Sequence, residues 1–310
     1  MMKSDSYLLS CDWGTSNLRL RLVNRQTGHV ESEHCTGEGA QVIAAAHRTQ
    51  ARRRAAFAAA LQRGLQALAV TRKPDIPLII SGMACSTLGW HPLPYARLPA
   101  RLTGADYVKA DLRLTGRKVR FISGLRAASD VMRGEECELT GLFMGGARQM
   151  PVEGWVMLPG THSKHVHLRR GRITGFSTHP TGELFTLLSR HSTLCQAIAG
   201  DFSPTAFRAG VRAARQQGLG AALFQTRART VLGLLRPEHG ADFLSGVLIG
   251  AEIAALPSTG KTMLAAAPNL ASRYTMALRT LRPGEDIAVI PPEAMARAVI
   301  TGHIHLASML

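Results

Sequence analysis

Residues 8–23 begin with an apolar run, break at Asp12-Trp13-Gly14, and resume with Leu18, Leu20 and Leu22 alternating with Arg19 and Arg21. Period-two alternation predicts strands, and the polar break between them predicts a hairpin turn. Residues 24–28 read as a further turn and 29–34 as a third strand. Over 49–70, Phe57, Leu61, Leu65 and Leu68 recur at helical spacing opposite an Arg- and Gln-rich face, which predicts an amphipathic helix. Residues 77–80 and 119–122 read as short buried strands. The stretch 83–102, with Trp90, Pro92, Pro94, Tyr95 and Pro99, reads as a structured loop that is either a surface connection or a pocket lining. Residues 133–143 open a helix with acids in its first turn.

The opening pattern then returns. Trp155-Val156-Met157-Leu158 is apolar, Pro159-Gly160-Thr161-His162-Ser163 is a polar turn, and Lys164-His165-Val166-His167-Leu168 alternates. Another Gly-containing turn follows, and 172–176 make a third strand. Each copy places an X-Gly-Thr at the turn between two strands, an internal repetition that predicts one such hairpin per half. Helices are expected at 181–188, 204–217, 226–235, 242–256, 269–281 and 293–306, and strands at 262–266 and 286–290. Alternating strands and helices predict an α/β protein of two lobes, 1–126 and 127–310, with the boundary near 123–130.

The 310-residue chain is 45% apolar and 19% charged, an ordinary globular balance, but its formal net charge is +16. A basic field attracts nucleic acid, acidic lipid or anionic metabolites. The arginines are scattered and aromatics are only 5% of the chain, which disfavours nucleic acid and favours small anionic ligands. Five cysteines, Cys11, Cys35, Cys85, Cys137 and Cys195, include no C-x-x-C pair and suit reduced thiols in a cytoplasm. The N-terminus has no signal-peptide pattern. The apolar stretch 243–256 is too short to span a bilayer and contains Glu252, so a buried helix is expected and no membrane partner. His162, His165 and His167 cluster without a neighbouring Cys or acid at ligand spacing and read as solvent-facing rather than metal-binding. A homodimer is compatible with the sequence.

Candidate chemistry sits at the turns. Backbone amides and small donors at Gly14, Thr15, Ser16 and Asn17 suit a phosphate, and Asp12 at the strand end suits hydrated Mg²⁺; an ordinary polar hairpin turn has the same composition. Asp130, Glu135 and Glu136 lie near a helix start, where a carboxylate serves as general base or only complements the helix dipole.

The ordered set of Asp12-Trp13-Gly14-Thr15-Ser16-Asn17-Leu18-Arg19, Ser81-Gly82-Met83 with Gly89-Trp90 and Pro94-Tyr95, Val131-Met132-Arg133-Gly134-Glu135-Glu136, Leu158-Pro159-Gly160-Thr161-His162-Ser163-Lys164, Thr181-Gly182-Glu183-Leu184, and Phe243-Leu244-Ser245-Gly246 with Ile249-Gly250-Ala251-Glu252 resembles the 2-dehydro-3-deoxygalactonokinases. These belong to the actin/hexokinase ATPase superfamily. The resemblance covers nearly the whole chain. It implies two ribonuclease-H-like lobes with ATP and Mg²⁺ in the cleft between them. It also implies phosphorylation of the 6-hydroxyl of 2-dehydro-3-deoxy-D-galactonate in galactonate breakdown. Gly14–Asn17 would be the phosphate-1 turn, and Gly160, Thr161, His162, Ser163 and Lys164 the phosphate-2 turn. Asp12 would hold Mg²⁺ through water, with Glu135 as the base and Asp130 as its alternative. Gly82, Met83, Trp90, Tyr95 and Arg133 would contact the sugar acid, Arg133 facing its carboxylate. Ala267 and Pro268 would border the adenosine. The chain departs from the family in lacking glycine in the loop 265–270 and near Ala298. The alternatives are a kinase of another sugar or sugar acid, and a non-catalytic regulator with the same fold.

Overall fold

The computed structural model describes residues 6–146, 153–194, 201–257 and 260–308; Cys195 and the first five residues lie outside them. The chain forms two compact units. The first comprises 1–150, 170–175 and 293–310, the second 151–169 and 176–292.

In the first unit, β1 (Tyr7–Trp13) and β2 (Leu18–Asn24) form the expected hairpin, with Asp12 opposite Arg19 and Trp13 opposite Leu18. β3 (Val30–Thr36) extends it on one side. On the other, β4 (Leu78–Gly82) runs parallel to β1. Between β3 and β4 come α1 (Ala40–Ala46) and α2 (Gln50–Ala67). Thr49 caps α2, its hydroxyl accepting from the Arg52 amide at 3.4 Å. The odd positions of β1, Leu9, Cys11 and Trp13, pack with Phe57, Leu61 and Leu65 of α2 in one core. Strand alternation therefore turns Ser10 and Asp12 to the opposite face.

Three short strands follow, β5 (Ala96–Arg97), β6 (Ala100–Arg101) and, after a longer hairpin, β9 (Leu125–Arg126); β9 pairs with β5 and with β10 (Val131–Met132). The hairpin between them consists of β7 (Lys109–Leu114) and β8 (Arg117–Ile122). β8 pairs parallel to β4, so the sheet order is β3-β2-β1-β4-β8-β7. β7 has no counterpart in the sequence reading. It is an edge strand whose alternating Ala110, Leu112 and Leu114 are only partly buried or exposed, Ala110 and Leu114 packing on the core, and it is turned by Thr115 and Gly116, both at positive φ (50° and 82°).

The second unit repeats the order. β11 (Glu153–Leu158) and β12 (Ser163–Arg169) form the second hairpin, and β14 (Lys261–Leu264) and β15 (Ile287–Val289) run parallel to β11. With β13 (Arg172–His179) the order is β15-β14-β11-β12-β13. The first residues of β13 belong to the first unit, where Arg172 and Ile173 pair with Arg101 and Ala100 of β6. Each unit thus carries three antiparallel strands followed by two parallel ones in the order 3-2-1-4-5, the ribonuclease-H-like arrangement. The internal repeat in the sequence is a repeat of topology.

Helices of the second unit are α4 (Thr181–His191), α5 (Pro204–Val231), α6 (Gly240–Ala254) and α7 (Pro268–Leu281). The two helices expected over 204–235 are one element interrupted at Gly218, whose φ of 77° breaks the helical run. The buried helix expected at 243–256 is α6. It touches α5 backbone to backbone: a Cβ on Gly246 would lie 2.0 Å from the Phe207 carbonyl oxygen.

The expected boundary at 126/127 falls inside the first unit. The cause is the crossing of α3 (Glu135–Met144) with α8 (Pro292–Ala307). A Cβ on Gly141 would lie 1.6 Å from the Ala298 carbonyl oxygen, and one on Gly302 would lie 2.1 Å from that of Cys137. The close approach that glycine near 298 would allow is supplied here by Gly141 and Gly302.

Candidate active site

The first turn is braced from below by the start of α1. The amides of Gly39, Ala40 and Gln41 donate to the carbonyls of Ser16, Gly14 and Thr15 at 3.0–3.1 Å. A Cβ on Gly39 would lie 2.2 Å from the Thr15 carbonyl oxygen, so the helix start can approach only as glycine. The Gly14 amide donates to the Asn17 carbonyl at 2.8 Å, while Thr15, Ser16 and Asn17 are exposed. The turn therefore presents its hydroxyl and amide side chains to solvent on a fixed backbone.

Asp12 stands beside this turn, its side chain 22% exposed and paired with Arg19 at 3.3 Å. Burial pushes its carboxyl up, and Arg19 and Arg21 oppose that shift. Two glycines at positive φ bring other groups to it. Gly82, at φ +83°, lets the end of β4 pass where a Cβ would sit 2.6 Å from the Trp13 carbonyl oxygen and 3.6 Å from Asp12 Oδ1. Gly134, at φ +114°, would place its own Cβ 3.8 Å from Gly82 Cα and starts α3 there. The Glu135 charge is felt at Asp12.

The acids at the head of α3 divide by position. Glu135 is half-buried, with Oε2 accepting from the Arg133 amide at 3.0 Å. Glu136 is fully buried, its Oε2 accepting from the Gly134 amide at 2.7 Å, which makes it a structural acid. Asp130 closes the turn between β9 and β10, its Oδ1 accepting from the Val131 amide at 2.7 Å. Glu138 was not singled out from the sequence. Its carboxyl is pushed up to about 8 by burial, then by the charges of Glu135 and Asp12. The available signal was its spacing: residues three apart share a helix face, and Glu135 and Glu138 are such a pair.

Glu136 gives a pH prediction. Burial, with the Glu135 charge adding to it, pushes its carboxyl from the ordinary 4.5 up to about 8. The folded state then holds a proton that the unfolded state has released. The contribution is complete below about 4.5 and is lost as pH rises through about 8. His303, pushed down to about 3 by burial, acts oppositely, but only below its ordinary value of 6.5. Between pH 6.5 and 8, stability is therefore expected to fall by up to about 1.4 kcal/mol per pH unit for Glu136 and by as much again for Glu138, whose carboxyl is raised to a similar value. Denaturant titrations of Glu136→Gln should show a shallower slope, Glu138 retaining a share; an unchanged slope would assign the titration to other groups.

His303 itself was missed, because its partners are distant in sequence. From α8 its Nδ1 and Nε2 each meet a serine hydroxyl at 2.8 Å, Ser10 on β1 and Ser81 on β4. It fixes the two strands that end at Trp13 and Gly82.

The expected sugar-acid residues are placed unevenly. Trp90 stands in an aromatic cluster, stacked on Phe57 at 6.3 Å and edge-on to Trp13 and Phe121 at 6.0 and 5.7 Å. Met83 packs against the same core. Arg133 lies over the Tyr95 ring at 4.2 Å, and its guanidinium donates to the carbonyls of Cys85 and Leu93 at 2.5 and 3.4 Å. Its Nε is buried without a partner. A buried guanidinium N–H left unmade is a costly arrangement that an anionic acceptor relieves.

The second turn has the same construction as the first. The Glu183 amide, at the start of α4, donates to the Thr161 carbonyl at 3.0 Å, and a Cβ on Gly182 would lie 2.6 Å from the Gly160 carbonyl oxygen. Ser163 is buried, accepting from the Gly160 amide at 3.3 Å and meeting the Tyr274 hydroxyl at 3.0 Å. Lys164 is buried and donates to the His162 carbonyl at 2.9 Å, so it braces the turn from inside. His162 is exposed and pairs with Glu183 at 2.9 Å.

His165 corrects the solvent-facing reading. It is 1% exposed and its Nε2 meets Glu252 Oε1 at 3.1 Å. His167 lies against the Trp155 ring at 4.7 Å. The partner acids come from α4 and α6, beyond any local spacing. Among the described residues no group of three or more His, Cys, Asp or Glu side chains forms a direct metal cage.

A pocket of about 340 Å³ opens from Gly160 and Gly182 to Asn269, Leu270 and Tyr274 at the start of α7. Ala267 and Pro268 begin that helix and are exposed. Ala267 has φ −61° and needs no glycine, so alanine in the loop 265–270 is unstrained. The glycine-walled turn and the mostly apolar pocket beside it fit a nucleotide. Asp12 fits Mg²⁺ held through water, since that ion keeps most of its hydration and binds by one or two carboxylates plus phosphates.

The sequence profile described as 2-keto-3-deoxy-galactonokinase matches residues 12–301. The 2-dehydro-3-deoxygalactonokinase of Escherichia coli (strain K12) is 31% identical over 307 residues, covering 96% of this chain and 97% of the relative. A Rhizobium meliloti (strain 1021) protein provisionally assigned the same activity is 33% identical over 313 residues, covering 96% of each. A crystal structure from Sinorhizobium meliloti, also with a provisional assignment to that activity, superposes with a TM-score of 0.81 at 30% identity over 98% of this chain and 100% of that one. No helix among the described residues is long and apolar enough to cross a membrane. With its profile match and both relatives spanning nearly the whole chain, this protein belongs to the 2-keto-3-deoxy-galactonokinase family.

Proposed function

We propose that this protein transfers a phosphoryl group from ATP, with Mg²⁺, to the 6-hydroxyl of 2-dehydro-3-deoxy-D-galactonate, giving 2-dehydro-3-deoxy-6-phosphogalactonate. The observation that carries the chemistry is the acid group of Asp12, Glu135 and Glu138 beside the first phosphate-type turn. ATP and Mg²⁺ supply the transferable group and neutralise its oxygens. Thr15, Ser16 and Asn17 of the first unit, and Gly160 and Thr161 of the second, bind phosphate. The pocket bounded by Gly182 and Asn269 takes the adenosine. Arg133 receives the substrate carboxylate through its unpartnered Nε. Glu135 accepts the proton of the 6-hydroxyl. Glu138, with its carboxyl raised, stays protonated near neutrality and limits the negative charge facing the phosphates.

ADP release over a panel of 2-keto-3-deoxy sugar acids and simple sugars tests the reading. Turnover should be fastest with 2-dehydro-3-deoxy-D-galactonate. Faster turnover of another sugar would reassign the acceptor, and no turnover on any would favour a regulator.

The first turn gives a narrower test. Gly14 has room for a side chain, its nearest neighbour to an added Cβ being the Asn17 carbonyl oxygen at 3.4 Å. Gly14→Val should keep the fold and weaken ATP binding by roughly tenfold, about 1.4 kcal/mol. Unchanged ATP affinity in equilibrium dialysis would remove this turn from the nucleotide site.

A further inference from the structure

The second unit has a larger concavity than the nucleotide pocket, on the outer side of α7. It measures about 650 Å³ and lies between α5 and α7. Arg208 and Arg212 line it from α5, and Arg279 from α7, with Ser272, Thr275 and Met276 between them. Among the described residues no carboxylate lines this groove. None of them pairs with these three guanidiniums by hydrogen bond or salt bridge, although Arg273 on the same helix has Asp242 at 3.8 Å.

Three like charges converging on one hollow repel one another, and Arg208 and Arg212, at i and i+4, do so along one helix face. An anion removes that repulsion. Guanidinium forks match phosphate oxygens in pairs, and two of them one helical turn apart, about 6 Å along the axis, reach successive phosphates of a chain. The serine and threonine hydroxyls supply neutral donors. Among the described residues no aromatic ring lines the groove, so recognition falls on the phosphates. We propose that the groove is a binding site for a small oligophosphate, separate from both phosphate-type turns. This does not rest on the kinase reading.

α7 connects the groove to that reading's pocket. Its residues Asn269, Leu270, Arg273 and Tyr274 line the nucleotide pocket, while Ser272, Thr275, Met276 and Arg279 line the groove. An oligophosphate in the groove therefore orders the helix that also forms the pocket wall.

Calorimetric titration of inorganic triphosphate into the full chain tests the site. Arg208→Gln/Arg212→Gln/Arg279→Gln should weaken binding at least tenfold or remove one site from the isotherm. A control with the same loss of charge, Arg48→Gln/Arg72→Gln/Arg126→Gln, alters exposed arginines of the first unit and should stay within about twofold of wild type. Hydrogen exchange over 271–280 should slow with triphosphate in the wild type and the control, and not in the groove variant. Equal weakening in both triple variants would reduce the effect to net charge, and no weakening in the groove variant would exclude the site. In either case ADP release remains a separate test of the kinase.

Discussion

Glu135→Gln is expected to lower kcat by at least about a hundredfold while ATP affinity stays within about twofold. General-base catalysis contributes roughly 10²–10⁴-fold, and glutamine keeps the size of the side chain while removing its basicity. Glu135 is the acid whose position fits this role. It heads α3 beside Asp12, is half-buried, and is oriented by the Arg133 amide at 3.0 Å. Glutamine can still accept that hydrogen bond, so orientation is conserved and the loss should fall on kcat rather than on KM. Asp130→Asn provides the contrast. Its carboxylate accepts from the adjacent Val131 amide in a turn, and kcat within about threefold of wild type is expected. Steady-state ADP release with both variants decides between them. Near-normal kcat in Glu135→Gln would remove Glu135 from the base role.

The second large effect is on stability. Glu252→Ala should destabilise the second unit by about 3–5 kcal/mol. The Glu252 carboxylate is buried and shared: Oε1 meets His165 at 3.1 Å, and Oε2 accepts from Tyr274 at 2.7 Å and from Thr181. Through Tyr274 the network reaches Ser163 in the phosphate-type turn. Alanine takes the shared acceptor from His165, Thr181 and Tyr274, and Tyr274 alone keeps the Ser163 hydroxyl; a buried polar group that loses its partner costs about 1–3 kcal/mol, offset in part by local rearrangement and water entry. Glu252→Gln keeps an acceptor in place and should cost less than half as much. Urea unfolding of the three proteins measures this. A loss below about 1 kcal/mol for alanine would show that the network is solvated rather than sealed.

These two residues show how far the sequence could be read. Glu135 was accessible because it follows Gly134 at the start of an apolar helix, a local pattern. Glu252 appeared as the charge interrupting a buried helix and as the end of a family segment, with no role attached. Its partners, His165 and Thr181, lie 87 and 71 residues away, and no spacing rule joins them. The solvent-facing assignment of His165 failed for the same reason. Strand alternation gives the faces but does not say which face is covered, and in β12 both are largely buried. The loop of Trp90 reads from sequence as either a surface connection or a pocket lining; half-buried Trp90 packs with Trp13, Phe57 and Phe121. A loop rich in aromatics and prolines has the same composition in either role.

The sequence by itself determined the two hairpins and their repetition, the amphipathic α2, the buried α6, the α/β alternation and the family. These depend on side-chain period and on residues adjacent in the chain. The tertiary structure alone decided that Glu138 joins Glu135 and Asp12 in one acid group, that α8 joins the first unit through Gly141 and Gly302, that His303 bridges Ser10 and Ser81, and that three arginines from α5 and α7 share one groove. Each of these depends on backbones or side chains brought together from distant segments. The order of strands and the closeness of helix crossings set such contacts, and local periodicity does not encode them.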